Sequence, residues 1–90
     1  MNFGQAIEAL KLGKKVCRSG WNGKGMFIYL QEGSEVNGTL MRTDAVRKYY
    51  GDYNVVVNPH IDMKAADDTL VIGWTPSQTD MLAEDWEIVE

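Results

Sequence analysis

The loop around Trp21 is the segment of the sequence best suited to hold a small ligand. Asn22 and two glycines surround the indole, and glycines beside an aromatic ring let another molecule approach the backbone closely. The ring is either a lid over the core or a platform on which a base stacks, an interaction that contributes ~1–3 kcal/mol. Asn22 offers amide donors and acceptors, and Arg18 and Lys24 flank the loop as partners for phosphate.

The segment from Trp74 to Gln78 is a second candidate binding site. Thr75 has the properties of an N-cap, a proline follows it, and Gln78 completes a capping box, so the pattern predicts a helix over 76–84. The first N–H groups of a helix attract anions. The hydroxyls of Thr75 and Ser77 add donors beside Trp74. The segment is therefore either an anion site or an ordinary capped helix.

Residues that could catalyse a reaction are few. The chain holds one histidine, His60, and one cysteine, Cys17, and neither has a partner at the spacing of a nucleophile or metal motif. Asp80, Glu84 and Asp85 either include a general acid/base pair or are solvated or paired carboxylates. We expect a binding protein without a catalytic residue, metal or cofactor, and an enzyme that uses Asp80, Asp85 or His60 is the alternative.

The charge is distributed unevenly along the chain. Residues 1–50 hold eight Lys or Arg against four acids, whereas residues 51–90 hold one against nine, and the net charge is −4. An acidic protein binds long nucleic acid poorly, because that affinity depends on many phosphate contacts. A small anion needs only a few donors, which the first half can supply. Alternatively, the two halves attract each other within or between subunits.

The hydrophobic pattern predicts an α+β fold, in which a small antiparallel sheet of about five strands packs with an N-terminal helix and a short C-terminal helix. The expected elements are a helix over 3–12, a strand pair 15–18 with 26–31, a hairpin 61–65 with 69–74, and a closing strand over 86–89. In the C-terminal helix, we expect Met81 and Leu82 to face inward. Residues 33–58 form an inserted excursion, with a short helix over 44–50, that packs on the sheet or on a neighbouring subunit. Pro59 keeps the apolar run before it from being a central strand.

The composition is that of one globular domain spanning residues 1–90. Hydrophobic residues make up 44% and charged residues 24%, values that exclude collagen-like, coiled-coil and disordered classes. The apolar runs are too short for a membrane span, and the first residues lack the pattern of a signal peptide. The single cysteine fits a reducing cytosol. A chain of this length buries only ~60–65% of its unfolded surface, so we expect oligomerisation to add burial.

Four stretches together resemble the phage Thoeris anti-defence type two family. They are Phe3 to Lys15, Arg-Ser-Gly-Trp-Asn-Gly over 18–23, Ile-Asp-Met-Lys-Ala-Ala-Asp over 61–67, and Trp-Thr-Pro-Ser-Gln-Thr-Asp-Met-Leu-Ala-Glu-Asp-Trp over 74–86. The resemblance runs over nearly the whole chain, and the last stretch is the most specific. Residues 33–58 carry none of the motifs on which this resemblance rests.

The resemblance implies a sponge in the cytoplasm of the infected bacterial host. Family members bind cyclic ADP-ribose isomers made by Thoeris TIR proteins, hold them intact, and so prevent activation of the effector. They assemble as homotetramers with pockets between protomers, and some also take cyclic oligonucleotides of the CBASS system. Carried over to this chain, the ligand-binding residues are Trp21, Asn22, Trp74, Thr75, Ser77, Gln78, Arg18, Lys24, Met26, Asp80, Pro59 and His60. An enzyme that degrades the signal and a phage structural or protein-interaction module are the competing interpretations.

Overall fold

The computed structural model describes every residue from Met1 to Glu90. The elements, in chain order, are α1 (Phe3–Lys11), β1 (Lys15–Arg18), β2 (Phe27–Gln31), β3 (Ser34–Asn37), a 3₁₀ turn (Gly38–Leu40), α2 (Asp44–Tyr50), β4 (Asn54–Val57), β5 (His60–Lys64), β6 (Leu70–Val71), α3 (Gln78–Leu82) and β7 (Trp86–Val89). The predicted α+β class is confirmed. None of the helices has the length and apolar character needed to cross a membrane.

The main sheet is antiparallel and has the strand order β6-β5-β2-β1-β7. The predicted pairing of β1 with β2 is confirmed, with Val16 opposite Ile28, and Ile28 in turn faces Met63 on β5. Side chains alternate between the two faces of a strand, so these three residues point to the same side. They form the core together with Leu10 of α1 and with Trp86, whose side chains are almost fully buried.

Helix α1 covers one face of the sheet and begins as its sequence predicts. The N–H of Gln5 donates to Oδ1 of Asn2 at 2.8 Å, and the N–H of Asn2 donates to Oε1 of Gln5 at 2.9 Å. This capping box satisfies two of the N–H groups that a helix start leaves free. The amino group of Met1 donates to the carbonyl of Trp86 at 2.7 Å, which ties the start of the chain to β7.

The return strand of the C-terminal hairpin is shorter than predicted. We expected residues 69–74, but β6 comprises only Leu70–Val71. Val71 lies opposite Met63, and the N–H of Trp74 donates to the carbonyl of Ile61 at 2.8 Å. Two residues of one strand therefore lie opposite one of the other, which is a β-bulge. Gly73, with φ at 79°, is in this bulge.

Helix α3 starts later than predicted, so the assignment of Thr75 as its N-cap is wrong. Ser77 is the N-cap: its hydroxyl accepts from the N–H of Asp80 at 3.0 Å, and the Asp80 carboxylate accepts from the N–H of Ser77 at 3.0 Å. An ionised carboxylate is a stronger acceptor than the amide of Gln78, so this capping box prevails. The inward orientation predicted for Met81 and Leu82 is also wrong, because both side chains are exposed.

We call residues 33–58 the arm. Phe27 pairs with Lys64 in the main sheet, and Ser34 pairs with Val57 in the arm. Strands β3 and β4 therefore continue the pairing of β2 with β5 without a shift in register. The arm is therefore the continuation of the β2–β5 hairpin. The ladder is interrupted at Pro59, which has no N–H to donate, and this explains why the valine run before it forms an edge strand.

The arm projects from the rest of the protein, which we call the body. Within the arm β3 pairs with β4, the predicted short helix is confirmed as α2, and α2 packs on the 3₁₀ turn. No element of the arm packs extensively on the main sheet or on α1 and α3, so packing on the chain's own sheet is not observed. The molecule measures 46 × 26 × 25 Å as a result.

Candidate functional site

Three tryptophan rings meet at one end of the core. Trp86 is 1% exposed, and the Trp21 ring lies on it at a centroid distance of 5.3 Å. Trp74 lies 6.2 Å from Trp21 and 6.3 Å from Trp86. All three pairs are edge-to-face, an arrangement that aromatic rings favour. Trp21 and Trp74 are half-buried, so each keeps part of its ring surface open to solvent.

The carboxylate of Asp80 holds this cluster in place. Its Oδ1 accepts from the indole N–H of Trp21 at 3.2 Å and from Nη1 of Arg18 at 2.8 Å, while Oδ2 caps Ser77. The backbone carbonyl of Asp80 accepts from the indole N–H of Trp86 at 2.9 Å. Burial alone would raise the pKa of Asp80, but hydrogen bonds from Ser77, Arg18 and Trp21 outweigh it and lower the pKa to about 2.

Arg18 is bound by two carboxylates. Its Nε donates to Oδ1 of Asp85 at 2.8 Å, and its Nη1 donates to Asp80 at the same distance. These bonds, with Asp85 contributing most, raise the pKa of Arg18, and the guanidinium lowers the pKa of Asp85. Two of the donor nitrogens of Arg18 are thus occupied. Its main role within one protomer is to join the loop after β1 to α3 and β7.

Asp85 also explains one of the glycines beside Trp21. Its Oδ2 accepts from the N–H of Gly20 at 2.8 Å. A Cβ atom at Gly20 would lie 2.7 Å from that oxygen, which is too close for a real contact. The loop therefore needs glycine here so that the carboxylate can reach the backbone. Asp85 was not among the predicted binding residues, since only the pairing of β1 with β7 brings it to this loop.

The start of α3 offers less to an anion than its sequence suggests. The helix has five residues, and the carboxylate of Asp80 already occupies its N-terminal end. The hydroxyl of Ser77 is used in the capping box, whereas Thr75 and Gln78 are exposed next to it. At the start of α3, the side chains of Thr75 and Gln78 therefore remain accessible for a contact.

The loop after Trp21 presents exposed polar groups. Asn22 and Lys24 are exposed, and no ion pair involves Lys24. Met26 is half-buried and packs against the core. The side chains of Asn22 and Lys24 are thus accessible to a ligand, whereas the side chain of Met26 packs against the core at the end of the loop.

A family-wide sequence model described as the Thoeris anti-defense 2-like domain matches residues 1–89. The protein named Thoeris anti-defense 2 of Bacillus phage SP01 is 43% identical over 94 residues, which cover 99% of this chain and 94% of that protein. The chain belongs to the Thoeris anti-defense 2-like family. Membership of this family gives the chain a phage anti-defense role.

In this family member, Pro59 lies against Gly33 where the arm begins, and His60 follows it as the first residue of β5. Strand alternation places His60 on the sheet face opposite to the core residues Ile61 and Met63. Nδ1 of His60 lies 2.9 Å from the carbonyl of Asn58, and Nε2 lies 3.3 Å from Oδ2 of Asp62. The hydrogen bond and ring contacts of Trp21 involve Asp80, Trp74 and Trp86, and neither of these two predicted residues.

Asp62 is a buried residue that the sequence analysis missed. It is 1% exposed, and its Oδ1 accepts from the N–H of Gly73 at 2.8 Å. The carboxylate satisfies the N–H that the bulge removes from the ladder. Oδ2 is buried and accepts no hydrogen bond, and Nε2 of His60 lies 3.3 Å from it. Asp62 thus fixes the backbone just before Trp74, and its alternating sequence context, which is typical of a solvated strand face, gave no signal of this.

The cavity of this anti-defense protein lies away from the cluster. It is a groove of about 460 Å³ between α1 and β7, lined by Met1, Asn2, Gly4, Gln5, Glu8, Ala9, Leu12, Lys14 and Ile88. No predicted binding residue lines it. No three His, Cys, Asp or Glu side chains lie close enough to one another to hold a metal ion. The tryptophan cluster therefore lies outside the cavity found in the single chain.

Proposed function

We propose that this protein binds a cyclic ADP-ribose isomer of the gcADPR type made by bacterial Thoeris TIR proteins and holds it intact. The effector that the signal would switch on then stays inactive. The observation that carries the proposal is the pair of half-exposed rings of Trp21 and Trp74, fixed on the buried Trp86. Family membership supports the target, because the family is named for its action against Thoeris defence.

The chemistry of the cluster suits a compact nucleotide. An adenine that stacks on one of the indoles would gain ~1–3 kcal/mol. The ring of Trp21 is already held by Asp80, so little conformational freedom is lost on binding. Asn22 and Lys24 are exposed on the same loop and supply an amide for the base or ribose and a cation for the diphosphate.

The open cluster also favours a pocket built by more than one protomer. Ligand pockets enclose most of the surface of a bound small molecule, and the cavity found within one protomer lies between α1 and β7 instead. A second protomer that covers the rings would add the missing walls. We therefore include a homotetramer with pockets between protomers in the proposal.

A binding role agrees better than catalysis with the protonation of the nearby groups. A general acid works best when its pKa lies near the working pH, whereas hydrogen bonds lower the pKa of both carboxylates, from Ser77 and then Arg18 for Asp80 and from Arg18 for Asp85. Burial, followed by the charge of Glu87, raises the pKa of the Cys17 thiol, which makes the nucleophilic thiolate scarce. We propose stoichiometric sequestration in the cytoplasm of the infected host, where the signal is produced.

The decisive experiment is to produce the protein together with a Thoeris TIR enzyme and to identify what co-purifies. After heat denaturation, mass spectrometry of the supernatant should find an intact cyclic ADP-ribose isomer. A linear product would instead indicate an enzyme, and the absence of any nucleotide would favour a structural or protein-interaction module. The Trp21→Ala/Trp74→Ala variant, purified in the same way, should carry no nucleotide.

The same experiment with a CBASS cyclic-oligonucleotide synthase in place of the TIR enzyme extends the test. A co-purified cyclic oligonucleotide would add a second class of sequestered signal. If the double tryptophan variant lost the cyclic ADP-ribose isomer but kept the oligonucleotide, the two ligands would occupy separate sites.

A further inference from the structure

The carboxylate of Asp62 is buried with one of its two oxygens unpartnered. Asp62 is 1% exposed, its Oδ1 accepts from the N–H of Gly73 at 2.8 Å, and its Oδ2 accepts no hydrogen bond. A buried charge without a partner costs folding free energy, so a fold that keeps one needs a compensating group. The one ion pair open to Asp62 is with Nε2 of His60, 3.3 Å from Oδ2.

The surroundings of His60 fix where its protons lie. Nδ1 is 2.9 Å from the carbonyl of Asn58, and because a carbonyl only accepts, Nδ1 carries a proton. A neutral imidazole has a single N–H, so Nε2 of the neutral ring would turn a lone pair toward the carboxylate of Asp62. Two acceptors would then face each other at 3.3 Å. The contact becomes favourable only with a second proton on the ring, between Nε2 and Oδ2.

The carboxylate of Asp62 shapes the segment that carries Trp74. The N–H of Gly73 donates to Oδ1 of Asp62, and the next N–H along the chain, that of Trp74, donates to the carbonyl of Ile61 at 2.8 Å. These two bonds define the bulge between β6 and β5. The position of the carboxylate therefore sets where the chain rejoins β5 and where the Trp74 ring lies, 6.2 Å from Trp21.

No other cation on this sheet face forms an ion pair with Asp62. Strand alternation gives the face five further titratable side chains: Lys64 on β5, Tyr29 on β2, Lys15 and Cys17 on β1, and Glu87 on β7. Lys64 pairs with Asp68 at 2.7 Å, and Lys15 lies over an aromatic ring. Strand β6 and the bulge contribute no titratable group. Asp62 therefore depends on the ring of His60 for its counter-charge.

We propose that His60 and Asp62 are a positioning pair for Trp74. They share one proton, and that proton holds the bulge in the shape that keeps the Trp74 ring on the binding surface. The side chain of His60 is 29% exposed, so the ring exchanges protons with solvent. When His60 releases the proton, the lone pair of Nε2 repels Oδ2, the carboxylate moves, and its hydrogen bond to Gly73 weakens.

The pair acts on the ligand only through Trp74. Both ring nitrogens of His60 are engaged, so neither is left to serve as a general base. Ligand affinity falls as the pH rises through the titration of His60, because the deprotonated pair no longer holds the ring of Trp74. The inference rests on the proposed function, since Trp74 is one of the two rings assigned to the nucleotide.

Nuclear magnetic resonance of the ligand-free, full-length chain tests the pair without a nucleotide. His60 is the only histidine, so its ring signals need no further assignment. At about pH 5.5 both ring nitrogens should carry protons. The indole N–H signal of Trp74, identified by its loss in Trp74→Phe, should shift along the same pH curve as the His60 ring. A Trp74 signal that does not follow the titration of His60 would overturn the proposal.

The variant Asp62→Asn isolates the role of the proton. Its side-chain oxygen still accepts from Gly73, and its amide donates to Nε2 of the neutral ring. The Trp74 signal should then stay in place, or shift in the opposite sense, when His60 deprotonates. Cys17→Ser removes another titratable group of the same face and should keep the original curve. If Asp62→Asn also kept it, the shared proton would be refuted and the curve would trace to another group, such as the amino group of Met1 that bonds Trp86.

Calorimetric titration with the cyclic ADP-ribose isomer extends the test to binding. Between pH 6 and pH 9 the dissociation constant of the original protein should rise at least about threefold, and that of Asp62→Asn should not rise. His60→Ala should bind at least about fivefold more weakly than the original protein at pH 6, because Oδ2 then stays unpaired. If no isomer binds at either pH, the proposed function falls and the resonance experiment still decides the pair. If affinity is unchanged by pH and by His60→Ala, sequestration stands and the positioning pair falls.

Discussion

The indole N–H of Trp21 donates a hydrogen bond to Oδ1 of Asp80 at 3.2 Å, and the same oxygen accepts from Arg18 at 2.8 Å. One carboxylate therefore sets both the orientation of the exposed ring and the position of the nearby guanidinium. Since Asp80 also caps α3 through Ser77, this one carboxylate links the loop after β1 to the start of α3. The fold alone therefore fixes the ring of Trp21, which would lower the entropic cost of binding the proposed ligand.

Removal of the Trp21 ring should weaken the binding of a cyclic ADP-ribose isomer. We expect Trp21→Ala to raise the dissociation constant at least about tenfold, because the stacking contact contributes ~1–3 kcal/mol, while the oligomer persists. Calorimetric titration and sedimentation measure the two effects. Phe27→Ala is the control, since Phe27 is another half-buried aromatic residue and lies under Lys15 rather than beside the cluster. Unchanged affinity of Trp21→Ala would remove Trp21 from the site.

Neutralisation of Asp80 should destabilise the fold. In Asp80→Asn the guanidinium of Arg18 loses one of its two carboxylate partners in a place where both side chains are largely buried. We expect a loss of about 2 kcal/mol in the free energy of unfolding, measured by urea denaturation. Glu8→Gln removes the exposed pair with Lys11 and should cost less than about 0.5 kcal/mol. Equal losses for the two variants would contradict the central role of Asp80.

Acid should unfold the protein in part through Asp80. Its pKa falls from the ordinary 3.8 to about 2 on folding, so the folded state holds this proton less tightly than the unfolded state. The resulting stability, of about 1–2 kcal/mol, is fully present above pH ~4 and is lost as the pH falls through ~2. Unfolding free energies between pH 7 and pH 2 should therefore decline less steeply in Asp80→Asn. A parallel decline in both proteins would refute this linkage.

A methyl group at Gly20 should disturb the loop that carries Trp21. The Cβ of Gly20→Ala would lie 2.7 Å from Oδ2 of Asp85, which forces the carboxylate away from the backbone N–H that it accepts. We expect a destabilisation of about 1–3 kcal/mol and a change in tryptophan fluorescence. Gly4→Ala, within α1 where the nearest atom is 3.4 Å away, should be neutral or stabilising by up to ~1 kcal/mol. If the two variants behaved alike in thermal unfolding, close approach at Gly20 would not be the cause.

The elements that local pattern specifies were predicted well. Helix α1 has its cap, its apolar stripe and its end within residues 2–13, so neighbouring residues suffice to specify it. Strands β1 and β2 and the short helix α2 follow in the same way from composition and flanking glycines. The bulge at Gly73 was missed because it depends on a distant partner, Asp62. The start of α3 was missed because two overlapping capping boxes competed, and the one between Ser77 and Asp80 formed.

The sequence by itself determined the residue types of the site, the helices and strands whose signals are local, and the net negative charge. Only the tertiary structure decided that Arg18 pairs with Asp80 and Asp85, that Trp21 and Trp74 share the buried support of Trp86, and that residues 33–58 prolong a hairpin away from the body. The physical reason is separation along the chain. Arg18 and Asp80 are brought together by a strand order that depends on the packing of the whole sheet, and local periodicity does not encode that order.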